Sequence, residues 1–212
     1  METLSSTSLK KMIDRAIFGK ISELGYKKSS LNRIYVTYLR NGFIGFVGVL
    51  SSSQGFNNMQ FINVTFAVSH KDYQTMLYNL YGLDPKGGIT CNSMNNLCDL
   101  FKQRPYSDFE WVVKNQDDIN KTIDEIVYYI RNYIHPFFEQ YSNKIVYRNG
   151  IESGVLSNQS TKDALLPVIY YMEGNKKAAE KYLIDRELAS NGSAYSDALA
   201  SVFLTNFRKL FI

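Results

Sequence analysis

The first regular pattern of hydrophobic positions in the chain is that of an amphipathic helix. Between Leu9 and Leu24, apolar residues recur at intervals of three and four positions, which places them along one side of a helix. Ser and Thr residues at positions 5 to 8 are candidate N-caps, and Gly25 stands where a left-handed residue commonly ends a helix. Tyr26 follows as the apolar residue that covers such an end. We therefore predict an N-terminal helix that ends at Gly25.

Two runs typical of β-strands follow this helix. Arg33–Arg40 and Phe43–Leu50 are rich in β-branched and aromatic residues, and only Asn41 and Gly42 separate them. Asn-Gly between two such runs is the strongest short-range signal for a two-residue hairpin loop, since both positions tolerate a positive φ. We predict an antiparallel hairpin with Gly42 in a type I′ turn.

The predicted loop fixes the register of the hairpin and therefore its two faces. It pairs Leu39 with Ile44 and Ile34 with Val49, so each tyrosine of the first strand lies opposite a glycine of the second. The predicted core face consists of Ile34, Val36, Val47 and Val49. The opposite face consists of Tyr35, Thr37, Leu39, Ile44 and Phe46. Because this predicted opposite face mixes aromatic and polar side chains, we expect either that other elements cover it or that it serves in binding.

Further patterns extend the sheet and add a short helix. Gln60–Val68 alternates between apolar and polar residues, which predicts a third strand with Asn63 and Thr65 on its polar side. The other predicted elements are a short helix over Lys71–Tyr81, a turn over Asp84–Gly88 and a strand over Phe109–Val113. The pattern from Ile89 to Phe101 is ambiguous. The sheet is therefore expected to have four or five strands.

Helical patterns dominate the second half of the chain. A stripe of Ile and Val residues begins after Asp117 and Asp118 and predicts a long helix, which Pro136 must end or kink. A loop is predicted over Tyr147–Ser160. Helices are predicted over about 161–172, 175–190 and 194–210. The fold class is therefore α+β, with an α+β domain over residues 1–145 and an α-helical extension over 146–212.

Composition places the chain among globular proteins. Of its 212 residues, 45% are hydrophobic and 21% are charged, and a chain of this length buries enough surface to fold without a disulfide or structural metal. No apolar stretch approaches a signal-peptide core or the ~20 residues of a membrane span. Two cysteines fit a reducing compartment. We expect a cytoplasmic protein that has no membrane association.

The positive charge lies mainly at the N-terminal end. The first 40 residues contain eight Lys or Arg residues against three acidic residues, whereas the whole chain has a net charge of +4. A basic segment of this kind can contact nucleic acid or an acidic partner. A solvated helix face is the favoured interpretation.

The residue types needed for catalysis or metal binding show no recognisable spacing. Cys91 and Cys98 are seven positions apart, and neither His70 nor His135 stands at zinc-ligand spacing from a second ligand. The chain has no Gly-x-Ser-x-Gly sequence, no catalytic cysteine motif and no glycine-rich phosphate loop before a helix. We therefore expect no metal, no cofactor and no enzymatic activity.

Three short segments carry a resemblance to known proteins. They are Leu24-Gly25-Tyr26-Lys27-Lys28 at the end of the first helix, Asp108-Phe109-Glu110-Trp111 in a strand and Ile134-His135-Pro136-Phe137-Phe138 in the long helix. Their order resembles that of a bacterial family of small α+β domains of unknown function, over roughly residues 8 to 142. Some members lie in the gene neighbourhoods of polymorphic toxins, so the resemblance implies an immunity role.

The leading functional hypothesis is a non-enzymatic protein-binding module, with toxin neutralisation as its specific form. The candidate binding residues are Tyr35, Thr37, Phe46, Asn63 and Thr65. Tyrosine is favoured at protein interfaces because it offers a large contact area with little side-chain entropy to lose. Two alternatives remain open, namely nucleic-acid binding by the basic N-terminal segment and an enzyme of unrecognised type.

Overall fold

The computed structural model describes residues 4–30, 33–84, 94–102, 104–190 and 198–211. The chain forms two compact units. The first comprises Met1–Val68 with Met94–Ser142, and the second comprises Ser69–Ser93 with Asn143–Ile212. The C-terminal helices, predicted as an extension from residue 146, thus share their unit with the segment after Val68. The predicted turn over Asp84–Gly88 lies, apart from Asp84, outside the described residues.

The predicted α+β class is confirmed. The strands are β1 (Lys27–Lys28), β2 (Ile34–Tyr38), β3 (Phe43–Ser52), β4 (Gln60–His70), β5 (Asn95–Asn96) and β6 (Glu110–Val113). The helices are α1 (Ser6–Glu23), α2 (Lys71–Leu80), α3 (Leu97–Leu100), α4 (Gln116–Tyr129), α5 (His135–Tyr141), α6 (Lys144–Glu152), α7 (Gln159–Met172), α8 (Lys176–Ser190) and α9 (Ala198–Arg208). A π-helical segment, Ile130–Ile134, joins α4 to α5. The sheet and helices α1, α3, α4 and α5 belong to the first unit, except that the last two residues of β4 belong to the second.

Helix α1 forms as its sequence predicts. The Ser5 side chain caps its first turn by accepting a hydrogen bond from a backbone N–H. At the other end Gly25 adopts φ 84°, and the N–H groups of Gly25 and Tyr26 donate to the carbonyls of Ser22 and Ile21. The residues of its apolar stripe that are buried are Leu9, Ile13, Ile17 and Ile21. Burial of this stripe holds α1 on the first unit.

The connection between β2 and β3 contains the predicted turn and one additional residue. Asn41 (φ 58°, ψ 29°) and Gly42 (φ 79°) are both left-handed, and the Phe43 N–H donates to the Arg40 carbonyl, as in a type I′ turn. The Leu39 N–H, however, also donates to Phe43, at 2.9 Å. Leu39 and Arg40 thus both lie opposite Phe43, which defines a β-bulge at Arg40.

The bulge shifts the hairpin register by one residue from the prediction. Ile34 pairs with Gly48 and Tyr35 with Val47, so the predicted pairing of each tyrosine with a glycine is wrong. Side chains alternate between the faces of a strand, and a shift of one residue therefore exchanges the faces. Tyr35 and Thr37 lie on the same face as Val47. The predicted core face and binding face are both wrong for this reason.

One face of the sheet, called the covered face here, packs against helices of the first unit. A Cβ added to Gly45 would lie 2.4 Å from the Phe138 ring, so α5 packs directly on the bare backbone of β3. The rings of Phe137 and Phe138 lie 5.1 and 6.4 Å from that of Phe66 on β4. Phe18 of α1 stacks on Tyr35 at 6.5 Å. The opposite face, called the second face, carries Gly48, whose added Cβ would lie 2.6 Å from the Thr65 hydroxyl.

The edge strand beside β4 is interrupted. Both β5 and β6 pair antiparallel with β4, with Asn96 opposite Thr65 and Glu110 opposite Asn63. These partners on β4 are separated by a single residue. We call the chain between β5 and β6, Leu97–Phe109, the edge insertion. The sequence pattern did not predict β5, because two asparagines carry no strand signal.

Pro136 was predicted to end or kink the long helix, and the helix does not end there. Its backbone remains helical through the π segment, where the His135 N–H donates to the Ile130 carbonyl five residues earlier. Proline has no N–H, and its ring crowds the carbonyl four residues before it. The wider π turn provides space for this ring, and Pro136 then lies in the first turn of α5.

The second unit contains α2 and the helices from α6 onward. The predicted loop over Tyr147–Ser160 is wrong in its first part, which is helical. Asn143 caps α6 by accepting hydrogen bonds from two backbone N–H groups, and Tyr147 and Ile151 are buried at helical spacing. Gly150, interpreted as part of a turn, is a buried residue within this helix.

The three C-terminal helices are confirmed as α7, α8 and α9. Gly174 (φ 82°) ends α7, and Asn175 then caps α8 by accepting a hydrogen bond from the Ala178 N–H. In the part of the chain that the structure describes, no helix has the length and apolar character needed to cross a bilayer.

Candidate functional site

The five predicted binding residues do not form one surface. Tyr35 and Thr37 point to the covered face and are buried, with Tyr35 only 2% exposed. Phe46 lies on the second face and is also buried. Asn63 and Thr65 are half-buried on that second face. The shared surface predicted from the hairpin is therefore absent because the bulge changes the register.

The polar residues of the second face hold one another in place. The side-chain amides of Asn63 and Gln54 both donate to Glu110 Oε1 at 3.3 Å. The Thr65 hydroxyl donates to Met94 Sδ at 3.5 Å. These groups have hydrogen-bonding partners within the protein. They stabilise the sheet, and Asn63 Oδ1 is buried without a hydrogen-bond partner among the described residues.

Some of the N-terminal positive charge is used internally. The Arg33 side chain is 12% exposed, lies 3.3 Å from the Asp14 carboxylate and donates to the Ser51 carbonyl. Lys20 of α1 forms an ion pair with Asp124 of α4 at 3.7 Å. Neutralised cations contribute little to binding phosphate groups. The basic N-terminal segment thus presents fewer uncompensated charges than its composition indicates.

The side chains considered for metal binding are dispersed. Within the described ranges, no three His, Cys, Asp or Glu side chains are grouped so as to hold a metal ion. Cys98 is a half-buried free thiol whose pKa is raised by burial, and Cys91 lies outside the described residues. His70 is buried, and His135 is partly exposed.

Two backbone irregularities of the first unit meet at one cluster of aromatic side chains. The edge insertion contributes Phe101 and Phe109, and the junction of α4 with the π segment contributes Tyr129 and Tyr133. The Phe101 ring lies 4.8 Å from that of Tyr133 and 5.8 Å from that of Tyr129, both edge-to-face. Phe109 stacks on Phe101 at 5.3 Å. Interrupted strands and π turns frequently mark functional sites.

The exposed part of this cluster contains tyrosine and arginine side chains. Tyr128 is 53% exposed and Tyr133 is 37% exposed, and their rings lie 6.0 Å apart. The Arg104 side chain, 48% exposed, lies 5.0 Å above the Phe109 ring. We call the following five residues the aromatic patch: Phe101, Arg104, Tyr128, Tyr129 and Tyr133.

Hydrogen bonds fix the orientation of Arg104. Its Nη1 donates to the Tyr129 hydroxyl at 3.4 Å, and its Nε donates to Asp108 Oδ2 at 3.2 Å. The bonds to Tyr129 and Asp108 raise the pKa of Arg104, so it is always charged. The guanidinium has five N–H donors, and these two contacts use only two of them. Arg104 is thus held in place with donors still directed at solvent.

Sequence reasoning missed this patch, although one signal was present. Tyr128 stands on the polar side of the amphipathic α4 pattern, where a large aromatic side chain needs an explanation. Phe101, which contacts Tyr129 and Tyr133, lies at the end of the segment whose pattern is ambiguous. Nothing in the local sequence indicates that the edge insertion packs against the π segment.

A second cluster, in the second unit, is built from charged and aromatic side chains. Arg148 forms ion pairs with Glu173 and, at 3.6 Å, with Glu152. The Tyr73 hydroxyl donates to Glu173 at 3.1 Å, and the Tyr170 hydroxyl donates to Glu152. Burial, followed by Glu173, raises the pKa of Tyr73. Because both carboxylates and the cation are engaged with one another, this cluster links α2, α6 and α7 and leaves no group poised for chemistry.

Comparison with known proteins provides no relative from which to infer a function. No family model, no curated protein and no solved structure matches this chain. The resemblance to a bacterial family of small α+β domains therefore stays a prediction. The functional proposals for this protein therefore rest on the sequence and the geometry of its own residues.

Proposed function

We propose that this protein is a binding module that recognises another protein through the aromatic patch. The observation that carries the proposal is the exposure of Tyr128 and Tyr133 beside an orientated Arg104. Tyrosine and arginine are enriched among the few residues that supply most of the binding energy at protein interfaces. Their combination at one exposed place favours a protein partner.

The rigidity of the aromatic patch supports the same function. Phe101 and Phe109 stack on each other, and the rings of Tyr128, Tyr129 and Tyr133 form a triangle with sides of 5.8 to 6.0 Å. Side chains that are already ordered lose less conformational entropy when a partner binds. A rigid aromatic surface of this kind binds more tightly than an equally large mobile one.

The charge distribution favours protein over nucleic acid as the partner. Arg104 is the cation of the aromatic patch, and Asp108 lies 3.2 Å from its Nε. Nucleic-acid binding relies on uncompensated Lys and Arg side chains that neutralise several phosphates. A compensated arginine flanked by tyrosines is better suited to the polar and aromatic groups of a protein surface.

The specific form of the proposal is neutralisation of a toxin. It rests on the resemblance to immunity-like domains given by the sequence around Tyr26, Trp111 and Pro136. If the neighbouring gene encodes a toxin, co-expression of this protein should restore growth of a strain that the toxin inhibits. Unchanged inhibition, with both proteins present at comparable levels, would reject this form while leaving the binding function to be tested separately.

The binding function is tested by a comparative capture experiment. The wild-type chain and the Tyr128→Ala/Tyr133→Ala double variant are immobilised and exposed to lysate of the source organism. A third bait carries Tyr38→Ala, which removes a 68% exposed tyrosine of β2 outside the aromatic patch. We expect at least one protein to be captured by the wild type and by Tyr38→Ala and to be lost from the double variant.

Circular dichroism of all three baits provides the folding control. Since Tyr128 and Tyr133 are exposed, their truncation should leave the fold intact. Capture of the same proteins in the same amounts by all three folded baits would refute the proposed use of the aromatic patch.

A further inference from the structure

A small cavity lies in the first unit beside the end of α1. It has a volume of about 100 Å³ and is lined by Leu24, Tyr26, Ile130, Arg131 and His135. This volume corresponds to roughly three water molecules, at about 30 Å³ each. The π segment provides Ile130 and Arg131, so the irregular helix also shapes this cavity.

The polar side of the cavity is formed by Tyr26 and His135, which share a hydrogen bond. The Tyr26 hydroxyl lies 3.3 Å from His135 Nδ1, and His135 Nε2 lies 3.8 Å from the Glu139 carboxylate. Burial raises the pKa of Tyr26, so its phenol remains protonated and is able to donate a hydrogen bond. The hydrogen bond between Tyr26 and His135 thus holds the phenol at the polar side of the cavity.

The remaining lining combines apolar walls with one cation. Leu24 and Ile130 provide the walls, and the exposed Arg131 provides a guanidinium that forms no ion pair among the residues that the structure describes. Guanidinium groups match the geometry of carboxylates, to which they donate two parallel hydrogen bonds. A cation and a phenol beside apolar walls suit a ligand with one anionic end and a short hydrocarbon end.

We propose that this cavity binds a small aliphatic monocarboxylate of the size of acetate or propionate. The carboxylate contacts Arg131 and the Tyr26 hydroxyl, and the hydrocarbon end lies against Leu24 and Ile130. A ligand of four or five non-hydrogen atoms matches the available volume. The inference is independent of the proposed protein-binding function, because none of its residues belongs to the aromatic patch.

Titration of the full chain with sodium propionate near neutral pH, followed by NMR, tests the inference. Sodium chloride at equal ionic strength and propionamide, a neutral molecule of nearly the same shape, are the reference titrants. We expect saturable shifts of the Tyr26, Arg131 and His135 signals with propionate only. The expected Kd is on the order of millimolar, because so small a ligand makes few contacts.

Three variants identify the interactions. Tyr26→Phe keeps the buried ring and should weaken propionate binding roughly tenfold, since it removes a hydrogen bond to a charged group. Arg131→Met should abolish saturation, whereas Lys121→Met, which removes an exposed cation of α4 outside the cavity, should leave the Kd unchanged.

Specific results would overturn the inference. Equal shifts with propionamide would show that the negative charge is not recognised, and linear shifts without saturation would show that no site exists. An unchanged Kd in Tyr26→Phe and Arg131→Met, both folded by their NMR spectra, would exclude this cavity as the site.

Discussion

At the scale of single residues, Gly45 of β3 determines how closely the helical layer approaches the sheet. A Cβ at Gly45 would meet the Phe138 ring at 2.4 Å, whereas a Cβ at Gly19 of α1 would have no neighbour within 4 Å. We expect Gly45→Ala to lower the free energy of unfolding by about 1–3 kcal/mol through overpacking. Gly19→Ala should raise the free energy of unfolding by about 0.5–1 kcal/mol. Alanine has fewer accessible conformations than glycine in the unfolded chain, and it is more favourable than glycine within a helix.

Urea unfolding of these two variants checks the expected opposite signs. Adding Phe138→Leu to Gly45→Ala should recover part of the lost stability, since the smaller side chain makes space for the new methyl group. If Gly45→Ala is as stable as the wild type, the direct packing of Phe138 on β3 is incorrect.

At the scale of elements, the bulge at Arg40 determines which side chains of β2 face the helices. Deletion of Arg40 leaves Leu39 opposite Phe43 across a two-residue type I′ turn, so the register and faces of the hairpin are retained. Deletion of Thr37 shifts the first part of β2 by one position and reverses its faces. We expect the Arg40 deletion to fold with a loss of about 1–2 kcal/mol, and the Thr37 deletion not to fold.

Circular dichroism and urea unfolding of the two deletion variants separate these outcomes. Equal loss of structure in both would contradict the bulge, because a hairpin without a bulge is disrupted by either deletion.

The ion pairs of Arg148 with Glu152 and Glu173 in the second unit also act at the scale of elements, because they connect α6 and α7. Arg148→Met leaves Glu152 and Glu173 without their cation, and we expect the free energy of unfolding to fall by about 2–3 kcal/mol. Adding Glu173→Gln removes one uncompensated charge, so the double variant should be more stable than Arg148→Met alone. A double-mutant cycle measured by urea unfolding provides this comparison. Additive losses would show that the two side chains do not interact.

The sequence predicted elements better than their relations in space. Helix α1 was predicted with both of its ends, because the Ser5 cap and the Gly25 stop are local signals. The hairpin turn was predicted for the same reason, but the bulge was not, since Arg40 has no residue type that favours one. Because the predicted hairpin omits this bulge residue, it places Tyr35 on the wrong face of the sheet and so gives a wrong binding surface. The aromatic patch escaped prediction because Phe101 and Tyr133 are brought together only by tertiary packing.

At the scale of the whole molecule, buried tyrosines make stability sensitive to alkaline pH. Burial, with a contribution from Asp14, raises the pKa of Tyr35 to about 12. The unfolded chain loses this proton near pH ~10, so the folded state holds more protons between these values. Stability is therefore fully present below pH ~10 and is lost as pH rises towards 12, by about 1.4 kcal/mol per pH unit for each such group.

Unfolding free energies measured between pH 8 and pH 12 check this expectation. Tyr35→Phe should show a shallower loss than the wild type, because phenylalanine has no proton to lose. Tyr38→Phe, which alters an exposed tyrosine on the same strand, should follow the wild-type curve. If Tyr35→Phe follows the wild-type curve as well, Tyr35 does not contribute to the alkaline transition.

The function proposed for the molecule depends on whether the aromatic patch anchors a protein partner. The most direct measurement is isothermal titration calorimetry of the purified partner with the wild type, Tyr128→Ala and Tyr38→Ala. Loss of a central aromatic anchor typically costs ~2 kcal/mol, so the Kd of Tyr128→Ala should rise about 30-fold while that of Tyr38→Ala stays within about twofold of the wild type. Equal Kd values for three folded proteins would contradict the account.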